Sequence, residues 1–325
     1  MITYFHRHPR AGFSINKVSQ TYICDIAKKV SVEQYYVPCY RADPISCFRN
    51  ILFVFKHRNK DGINHITGDI HYCILALLNC KSVLTIHDTC ILYNTKNIYK
   101  KYIFLIFWFI IPLLIANKIV CISNNTKKAI TKLTKRKDIE VIYNAVDPLL
   151  QPVIREFEKE QPVVLHVGTG WNKNLLNVIS ALYSIPCHLR IIGRLSHEQY
   201  EFLKMKKINY SVKYDLSDEE IVDEYKNSDM VCFCSIFEGF GMPIIEAQAV
   251  GRPVLTSNLE PMTEIAGKGA LFVNPHDVGE IRAGILTILQ NDTVRKTIIN
   301  NGFINVKRFN YKLIAGQYFQ LYNNI

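Results

Sequence analysis

The segment 230–253 constrains the fold more than any other part of the sequence. Met230 to Ser235 is a short apolar run typical of a buried strand, and the glycines that follow at Gly239 and Gly241 allow the backbone to turn sharply. Pro243 stands where a first helical residue would stand. The pattern therefore predicts a strand, a glycine loop and the start of a helix, a unit typical of α/β proteins.

Two carboxylates flank the predicted start of this helix. A helix beginning near Met242 directs its N–H groups and the positive end of its dipole at the loop, which favours a phosphate group. Glu238 and Glu246 would repel a phosphate, but they can accept hydrogen bonds from sugar hydroxyls. We interpret the segment as a nucleotide-sugar site. The alternative is that Glu238 is a solvated loop residue and that Glu246 only favours the helix dipole.

The same segment carries a resemblance to a known family. Seven residues resemble the Glu-x7-Glu signature of the family 4 retaining glycosyltransferases: Glu238, Gly239, Phe240, Gly241, Met242, Pro243 and Glu246. The resemblance covers nearly the whole chain and is strongest after Val141. It implies an α/β protein with the GT-B fold, in which two Rossmann-like domains face each other across a cleft. It also implies sugar transfer from a nucleotide sugar to an acceptor hydroxyl with retention at the anomeric carbon, without a metal or another cofactor.

The length of 325 residues, with 49% hydrophobic and 21% charged residues, is typical of a globular chain of two domains. We place the first domain at residues 1–157 and the second at 158–305, because a charged linker precedes Pro162. The aromatic segment Phe309 to Tyr322 has helical spacing, so we assign 306–325 to a C-terminal helix. By the resemblance, this helix crosses back onto the first domain.

The positive charge is concentrated in the first half of the chain. Residues 1–150 contain 21 Lys and Arg against 9 Asp and Glu, whereas the rest contains 18 against 19. We therefore expect an anionic partner of the first half, either a nucleic acid or an anionic membrane surface. Nucleic-acid binding would require aromatic or base-reading side chains in the basic segment 127–137, and the segment contains none. A membrane-facing or solvated surface fits better.

The cysteines and the N-terminus indicate a compartment. The chain has ten cysteines but no Cys-x-x-Cys pair, and several lie in apolar runs, so we expect reduced, buried thiols in a cytoplasmic protein. Basic residues follow Phe5 too soon for a secretory signal. The 14 apolar residues of 103–116 are too few to span a bilayer as a helix. They fit a buried core helix or one that contacts the membrane interface, which would make the protein peripheral on the inner face of the membrane.

Polar side chains follow two predicted strands of the first half. Arg7, Arg10 and Gly12 lie in the loop after the first strand, where open α/β sheets place ligands, so an acceptor phosphate could bind there. The alternative is a solvated basic turn. His87 follows a later buried strand and could contact the sugar or help the acceptor hydroxyl lose its proton. The alternative for His87 is a core histidine bonded to the backbone.

A second glycine loop opens the second half of the chain. Gly168 follows the predicted strand Val163 to Val167, and Lys173 stands at the following helix start, where it could reach a diphosphate. Lys173 matches the loop lysine of the family, whereas Thr169 stands where the family usually has an arginine. Arg194, after the neighbouring strand, could supply the missing charge, or it is a surface residue.

The resemblance assigns roles to these residues. Glu246 would bind the ribose hydroxyls, Glu238 the transferred sugar, and His87 would line the sugar site. Stabilising the charge of the departing diphosphate is the main catalytic effect. The donor-binding loops that would provide this stabilisation contain Gly168, Thr169, Lys173, Arg194, Phe240, Gly241 and Met242.

The predicted function is a glycosyltransferase acting on a glycan or lipid-linked acceptor in surface polysaccharide synthesis. A nucleotide-sugar epimerase of the same fold, and a non-catalytic nucleotide-sugar binder that serves as a membrane adaptor, are the alternatives. The chain has no Asp-x-Asp motif, and His65, Asp69 and His71 have no further ligands nearby in sequence, so we predict no metal site.

Overall fold

The fold comes from a computed structural model that describes residues 1–11, 14–95 and 97–325. The chain divides into two compact units: unit 1 comprises Met1–Ala145 and Asn310–Ile325, and unit 2 comprises Val146–Phe309. The division therefore falls earlier than the boundary we placed at residue 157. Residues 306–309, which we assigned to the C-terminal helix, belong to unit 2.

Each unit is built on one six-stranded sheet. The strands of unit 1 are β1 (Ile2–His6), β2 (Val32–Tyr36), β3 (Ile63–Ile66), β4 (Lys81–Ile86), β5 (Lys118–Cys121) and β6 (Ile139–Val141), in the order β2-β1-β3-β4-β5-β6. Those of unit 2 are β7 (Val163–Val167), β8 (His188–Ile192), β9 (Tyr210–Lys213), β10 (Met230–Phe233), β11 (Val254–Ser257) and β12 (Leu271–Val273), in the order β12-β11-β10-β7-β8-β9. All neighbouring strands are parallel, so residues that follow the strands collect at one edge of each sheet.

Helices connect the strands. Those of unit 1 are α1 (Ser14–Ile26), α2 (Pro44–His57), α3 (Cys90–Asn94), α4 (Ile98–Phe104), α5 (Ile111–Ile115) and α6 (Asn124–Thr131). Those of unit 2 are α7 (Leu175–Leu182), α8 (His197–Met205), α9 (Asp218–Lys226), α10 (Met242–Val250), α11 (Met262–Ala266), α12 (Val278–Gln290) and α13 (Asp292–Asn305). The last helix, α14 (Tyr311–Asn323), belongs to unit 1. Short 3-10 segments lie at Pro9–Ala11, His71–Leu77, Trp171–Lys173 and Val306–Phe309.

The two faces of the unit 1 sheet are covered by different helices. One face packs against α2, the segment His71–Leu77 and the helical residues 104–115, in a core that includes Phe5, Leu84 and Phe109. The other face packs against α1 and α14. Both faces of the unit 2 sheet are also covered, by α7 and α12 on one side and by α9 and α10 on the other. Parallel sheets with helices on both faces are the architecture of Rossmann-like domains.

The apolar segment that we placed at 103–116 belongs to a longer helical run. A π-helical segment, Leu105–Ile110, joins α4 to α5, so the run extends without a break from Ile98 to Ile115. Among the described residues it is the one helix long and apolar enough, by length and composition alone, to cross a membrane. Trp108, Phe109 and Leu113 anchor it in the core of unit 1, and the indole Nε1 of Trp108 donates a 2.8 Å hydrogen bond to the carbonyl of Asp69.

Candidate active site

The loop between β10 and α10 has the conformation that its glycines suggested. Gly241 has φ 110°, a value that L side chains rarely adopt, and it directly precedes the first helical residue, Met242. A Cβ added to Gly241 would lie 3.1 Å from Cδ1 of Ile244. Pro243 occupies the first turn of α10, where a backbone N–H has no acceptor within the helix, so a proline costs no hydrogen bond there. Glycine and proline thus start the helix abruptly and direct its N-terminal end at the loop.

Two of the predicted site residues form an ion pair. Nζ of Lys173, in the loop after β7, lies 2.7 Å from Oε1 of Glu238, in the loop after β10, and both side chains are largely buried. Asn172 strengthens the link, since its Nδ2 donates to the carbonyl of Phe237 at 2.9 Å and to Oε1 of Glu238 at 3.2 Å. The two predicted donor loops are therefore joined at the carboxyl edge of the unit 2 sheet.

Gly168 makes room for the lysine. Its φ is 92°, and a Cβ at this position would stand 2.9 Å from Cε of Lys173, so the aliphatic part of that side chain crosses directly over the glycine. The ammonium group lies 4.9 Å from the centre of the Phe233 ring. A side chain at position 168 would therefore displace the lysine from Glu238. The spacing in the sequence did not reveal this role of the glycine.

Glu246 has a partner that the sequence analysis missed. The hydroxyl of Tyr225, at the end of α9, donates a 2.5 Å hydrogen bond to Oε2 of Glu246 on α10. Tyr225 is fully buried, and burial together with the charge of Glu246 raises its pKa well above the usual value, so its hydroxyl stays protonated. A protonated donor fixes one carboxylate oxygen of Glu246. Tyr225 stands 21 positions before its partner, and no local motif pairs the two.

Arg194 and Thr169 form a separate, outer part of this edge. The guanidinium of Arg194 pairs with Asp215 and lies 4.3 Å from the centre of the Tyr214 ring, and the side chain is 66% exposed. The hydroxyl of Thr169 donates to the carbonyl of Arg194 at 2.6 Å. The charge of Arg194 is thus already engaged by a carboxylate at the surface, whereas Lys173 is held among the donor-loop residues.

His166, on β7, is a second residue that the sequence did not indicate. Its Nδ1 lies 3.1 Å from the carbonyl oxygen of Cys232, and its Nε2 is buried without a hydrogen-bond partner among the described residues. Burial lowers its pKa to about 4, with a smaller contribution from the positive charge of Lys173. His166 is therefore a neutral imidazole near the lysine at neutral pH.

The carboxyl edge of the unit 1 sheet collects histidines and an arginine. The imidazole of His87 donates from Nε2 to the carbonyl of Thr67 at 2.7 Å, and burial lowers its pKa to about 4, so it is neutral at pH 7 with Nδ1 as an acceptor. Arg7 and Asp69 act on this pKa in opposite directions, and the two form an ion pair at 3.6 Å. His87 is bonded to the backbone, as a core histidine would be, and it also lies at the sheet edge where a sugar-site histidine was predicted. The structure is therefore consistent with both interpretations of His87.

Of the three predicted acceptor residues, one lies against this cluster. Arg7 is buried beside Asp69, whereas Arg10 is exposed and its backbone N–H donates to Nδ1 of His8 at 3.0 Å. Gly12 lies outside the described residues. The edge also contains His6, whose Nδ1 lies 2.9 Å from the hydroxyl oxygen of Thr67 and whose pKa burial lowers to about 4.

Within the described residues, no three or more His, Cys, Asp or Glu side chains are grouped so that they could hold a metal ion. Lys173 and the start of α10 are sources of positive charge for an anionic ligand at this edge. The predicted independence from metals and cofactors stays a prediction.

The family models match adjacent parts of the chain. The model described as Glycosyl transferases group 1 matches residues 150–304, and the model described as Glycosyltransferase Family 4 matches residues 23–149. The chain is 29% identical over 243 residues to the O-antigen chain mannosyltransferase RfbU of Salmonella typhimurium. The matched region covers 71% of this chain and 67% of that protein. It is 27% identical over 184 residues to the O-antigen chain mannosyltransferase B of Escherichia coli, covering 53% of this chain and 48% of the relative. The chain thus spans about half the length of the second relative and about two thirds of the first.

Solved structures show the same fold at low sequence identity. The sucrose-phosphate synthase of Thermosynechococcus elongatus superposes with a TM-score of 0.83 at 17% identity, covering 100% of this chain and 98% of that chain. The Anabaena protein HepE, solved with UDP-glucose, superposes with a TM-score of 0.78 at 16% identity, with full coverage of both chains. The two Rossmann-like units, with a carboxylate and a lysine joined at the second sheet edge, define a protein of the GT-B class. Together with the two family models, this shows that the chain belongs to the family 4 glycosyltransferases of group 1.

Proposed function

We propose that this chain transfers a sugar from a nucleotide-sugar donor to a hydroxyl of a glycan or lipid-linked acceptor, with retention at the anomeric carbon, in the synthesis of a surface polysaccharide. The observation that carries the proposal is the 2.7 Å ion pair of Lys173 and Glu238 beside the start of α10. It brings a cation, a carboxylate and a helix N-terminus together, and a sugar diphosphate needs these three groups. The relatives named as O-antigen mannosyltransferases support the pathway class.

The paired residues suit the two ends of the scissile bond. As the bond between the anomeric carbon and the diphosphate oxygen breaks, negative charge grows on the departing nucleoside diphosphate. Lys173 and the dipole of α10 stabilise that charge, and Glu238 accepts hydrogen bonds from the hydroxyls of the transferred sugar. Glu246, oriented by the 2.5 Å hydrogen bond from Tyr225, accepts hydrogen bonds from the ribose hydroxyls. We propose that the reaction requires no metal ion, since Lys173 and the helix supply the positive charge.

The reaction is proposed to take place in the cytoplasm, at the inner face of the membrane. The neighbour solved with UDP-glucose and the relatives named as mannosyltransferases make UDP-glucose and GDP-mannose the first donors to test.

Thermal unfolding with nucleotides tests the donor site. A ligand at 100 times its dissociation constant adds about 2.7 kcal/mol of stability, which raises the midpoint by roughly 5 to 10 °C in domains of this size. We expect UDP or GDP, with the matching sugar nucleotide, to raise the midpoint, and Glu246→Ala to abolish the shift. Release of free nucleoside diphosphate only after acceptor is added would distinguish transfer from epimerisation. Absence of a shift with every nucleotide would contradict the proposal.

A further inference from the structure

The outer face of α2 is a stripe of large apolar side chains. Ile45, Phe48, Leu52 and Phe55 recur at spacings of three and four, which places them on one side of the helix. They are 42–67% exposed, while Asn50 and Val54 on the opposite side are buried. Four such side chains in a row exceed the scattered apolar residues that are normal on a protein surface.

The helical run Ile98–Ile115 presents a second apolar surface. Its first two turns contain no buried residue, and its exposed apolar side chains are 43–77% accessible: Ile98, Tyr99, Tyr102, Ile103, Ile106, Phe107 and Leu114. Only the inner side of its later turns, at Trp108, Phe109 and Leu113, is held in the core.

These two surfaces lie on the same side of unit 1. The helix α2 and residues 104–115 pack against one face of the sheet, in one core. The segment His71–Leu77 connects them, since Nδ2 of Asn50 donates to the hydroxyl of Tyr72 at 2.8 Å and the rings of Tyr72 and Trp108 are 4.5 Å apart. We call the exposed side chains of α2 and of 98–115 together the apolar face.

The charge around the apolar face is mostly positive, although Asp43 caps α2, Asp138 pairs with Arg136 and Glu140 pairs with Lys118. Residues 89–137 contain ten Lys and Arg and not one Asp or Glu, and residues 44–58 contain three more cations, Arg49, Lys56 and Arg58, again without an acid. At the end of the helical run, a cavity of about 800 Å³ has an apolar wall that includes Leu114 and a polar wall that includes Lys132 and Lys135. Apolar side chains with an excess of cations around them complement a surface that is apolar inside and anionic outside.

We propose that the apolar face binds an anionic lipid bilayer, with the side chains of α2 and 98–115 in the interface and the surrounding lysines and arginines at the lipid phosphates. The run 98–115 lies along the membrane and does not cross it, because Trp108, Phe109 and Leu113 anchor one side of it in the protein core. The partner follows from charge, since the cations around the face far outnumber the acids and favour an anionic surface over a basic protein. This inference rests on the proposed membrane location and names the surface responsible for it. Because that surface is separate from the donor site, vesicle binding and nucleotide binding can fail independently.

Co-sedimentation of the whole chain with vesicles tests the surface. We expect binding at low salt to vesicles of phosphatidylglycerol and phosphatidylcholine in equal amounts, weaker binding to phosphatidylcholine alone, and partial release by about 1 M salt, where screening acts within about 3 Å. Phe48→Ser with Phe55→Ser should weaken binding at least about tenfold, because each ring leaves the interface. The matched control is Leu149→Ser with Ile304→Ser, two exposed apolar residues of unit 2, which should bind as the unaltered chain does.

The charge is tested by a second pair of variants. Lys100→Glu with Lys101→Glu should weaken binding to the anionic vesicles by more than about tenfold and leave the thermal shift with nucleotide unchanged. The control, Lys268→Glu with Lys296→Glu in unit 2, should leave both vesicle binding and the thermal shift unchanged. Absence of binding to the mixed vesicles at low salt overturns the proposal. A concentration-dependent dimer that Phe48→Ser with Phe55→Ser dissociates, without vesicle binding, would instead assign the apolar face to a second copy of the chain.

Discussion

The two sheet edges of this protein are built by opposite means. At the edge of unit 2, two carboxylates are held by side-chain partners: Glu238 by the ammonium group of Lys173, and Glu246 by the neutral hydroxyl of Tyr225. At the edge of unit 1, neutral imidazoles, His6 and His87, lie in the interior beside the buried Arg7, whose ion pair with Asp69 is longer, at 3.6 Å. Unit 1 carries 22 Lys and Arg against 8 Asp and Glu, and unit 2 carries 17 against 20. The edge with the more elaborate pairing thus belongs to unit 2, which has no excess of positive charge. The paired groups of unit 2 and the excess positive charge of unit 1 therefore serve different binding partners.

The largest effect in this comparison is expected from replacing Lys173 of unit 2. We expect Lys173→Ala to lower kcat about 100- to 1,000-fold, since it removes a cation from the departing diphosphate. Steady-state rates with saturating donor and acceptor measure this. The control is Lys268→Ala, an exposed lysine of the same unit, which should keep full activity. A Lys173→Ala protein with unchanged kcat would place the catalytic cation elsewhere.

Acid should weaken unit 1 more than unit 2. Burial lowers the pKa of His6 and His87 to about 4, and it also lowers the pKa values of His65 and His71, whereas in unit 2 it lowers that of His166. Because the unfolded histidine takes up a proton near pH 6.5, each such group contributes stability above that pH and loses it as pH falls toward 4. The loss is about 1.4 kcal/mol per pH unit for each histidine.

Urea unfolding at pH 7, 6 and 5 measures this effect. His87→Gln, whose amide can still donate to Thr67, should reduce the slope of the unfolding free energy against pH by about 1.4 kcal/mol per unit between pH 6 and pH 5. His276→Gln, at an exposed position of unit 2, is the control and should keep the slope. Parallel slopes in all three proteins would show that His87 is not a source of the acid sensitivity.

Tyr225→Phe isolates the hydroxyl that holds Glu246. A hydrogen bond to a charged group contributes about 1.5 to 3 kcal/mol, so we expect the KM for the donor to rise about tenfold or more while kcat changes little. A donor that lacks the ribose 2′- and 3′-hydroxyls should show a smaller difference between the two proteins, which a merely structural effect would not produce. Tyr183→Phe, at an exposed tyrosine of unit 2, should change neither constant.

Arg194 should matter least of these residues. Its guanidinium is paired with Asp215 at an exposed position, and such pairs contribute about 1 kcal/mol or less. We expect Arg194→Ala to change kcat/KM by less than about fivefold. A loss approaching that of Lys173→Ala would mean that Arg194 leaves Asp215 when the donor binds, and Asp215→Ala should then increase donor affinity.

The features that could be predicted from the sequence depend on residues that lie close together in the chain. The unit around Gly241 could be recognised because glycine, proline and an apolar strand act within a few residues of each other, and the GT-B fold is confirmed by the structural likeness. The hydrogen bond of Tyr225 to Glu246 and the nearness of His166 to Lys173 could not be predicted, since only the folded chain brings these residues together. The helix α2 was not predicted from the sequence. Apolar side chains lie on both of its sides, Ile51 and Val54 inward and Phe48 outward, so the side that faces the core could not be identified.

The return of α14 to unit 1 bears on how the chain folds. The hydroxyl of Tyr322 lies 3.0 Å from that of Tyr4 and 2.7 Å from Nδ1 of His65, and the ring of Tyr318 stacks on Tyr22 at 4.3 Å. Unit 2 is one continuous segment, 146–309, whereas unit 1 combines residues 1–145 with α14, which follows unit 2 in the chain. We therefore expect the second unit to fold from local segments alone, whereas the first unit is complete only once a segment from beyond the second unit has docked onto it.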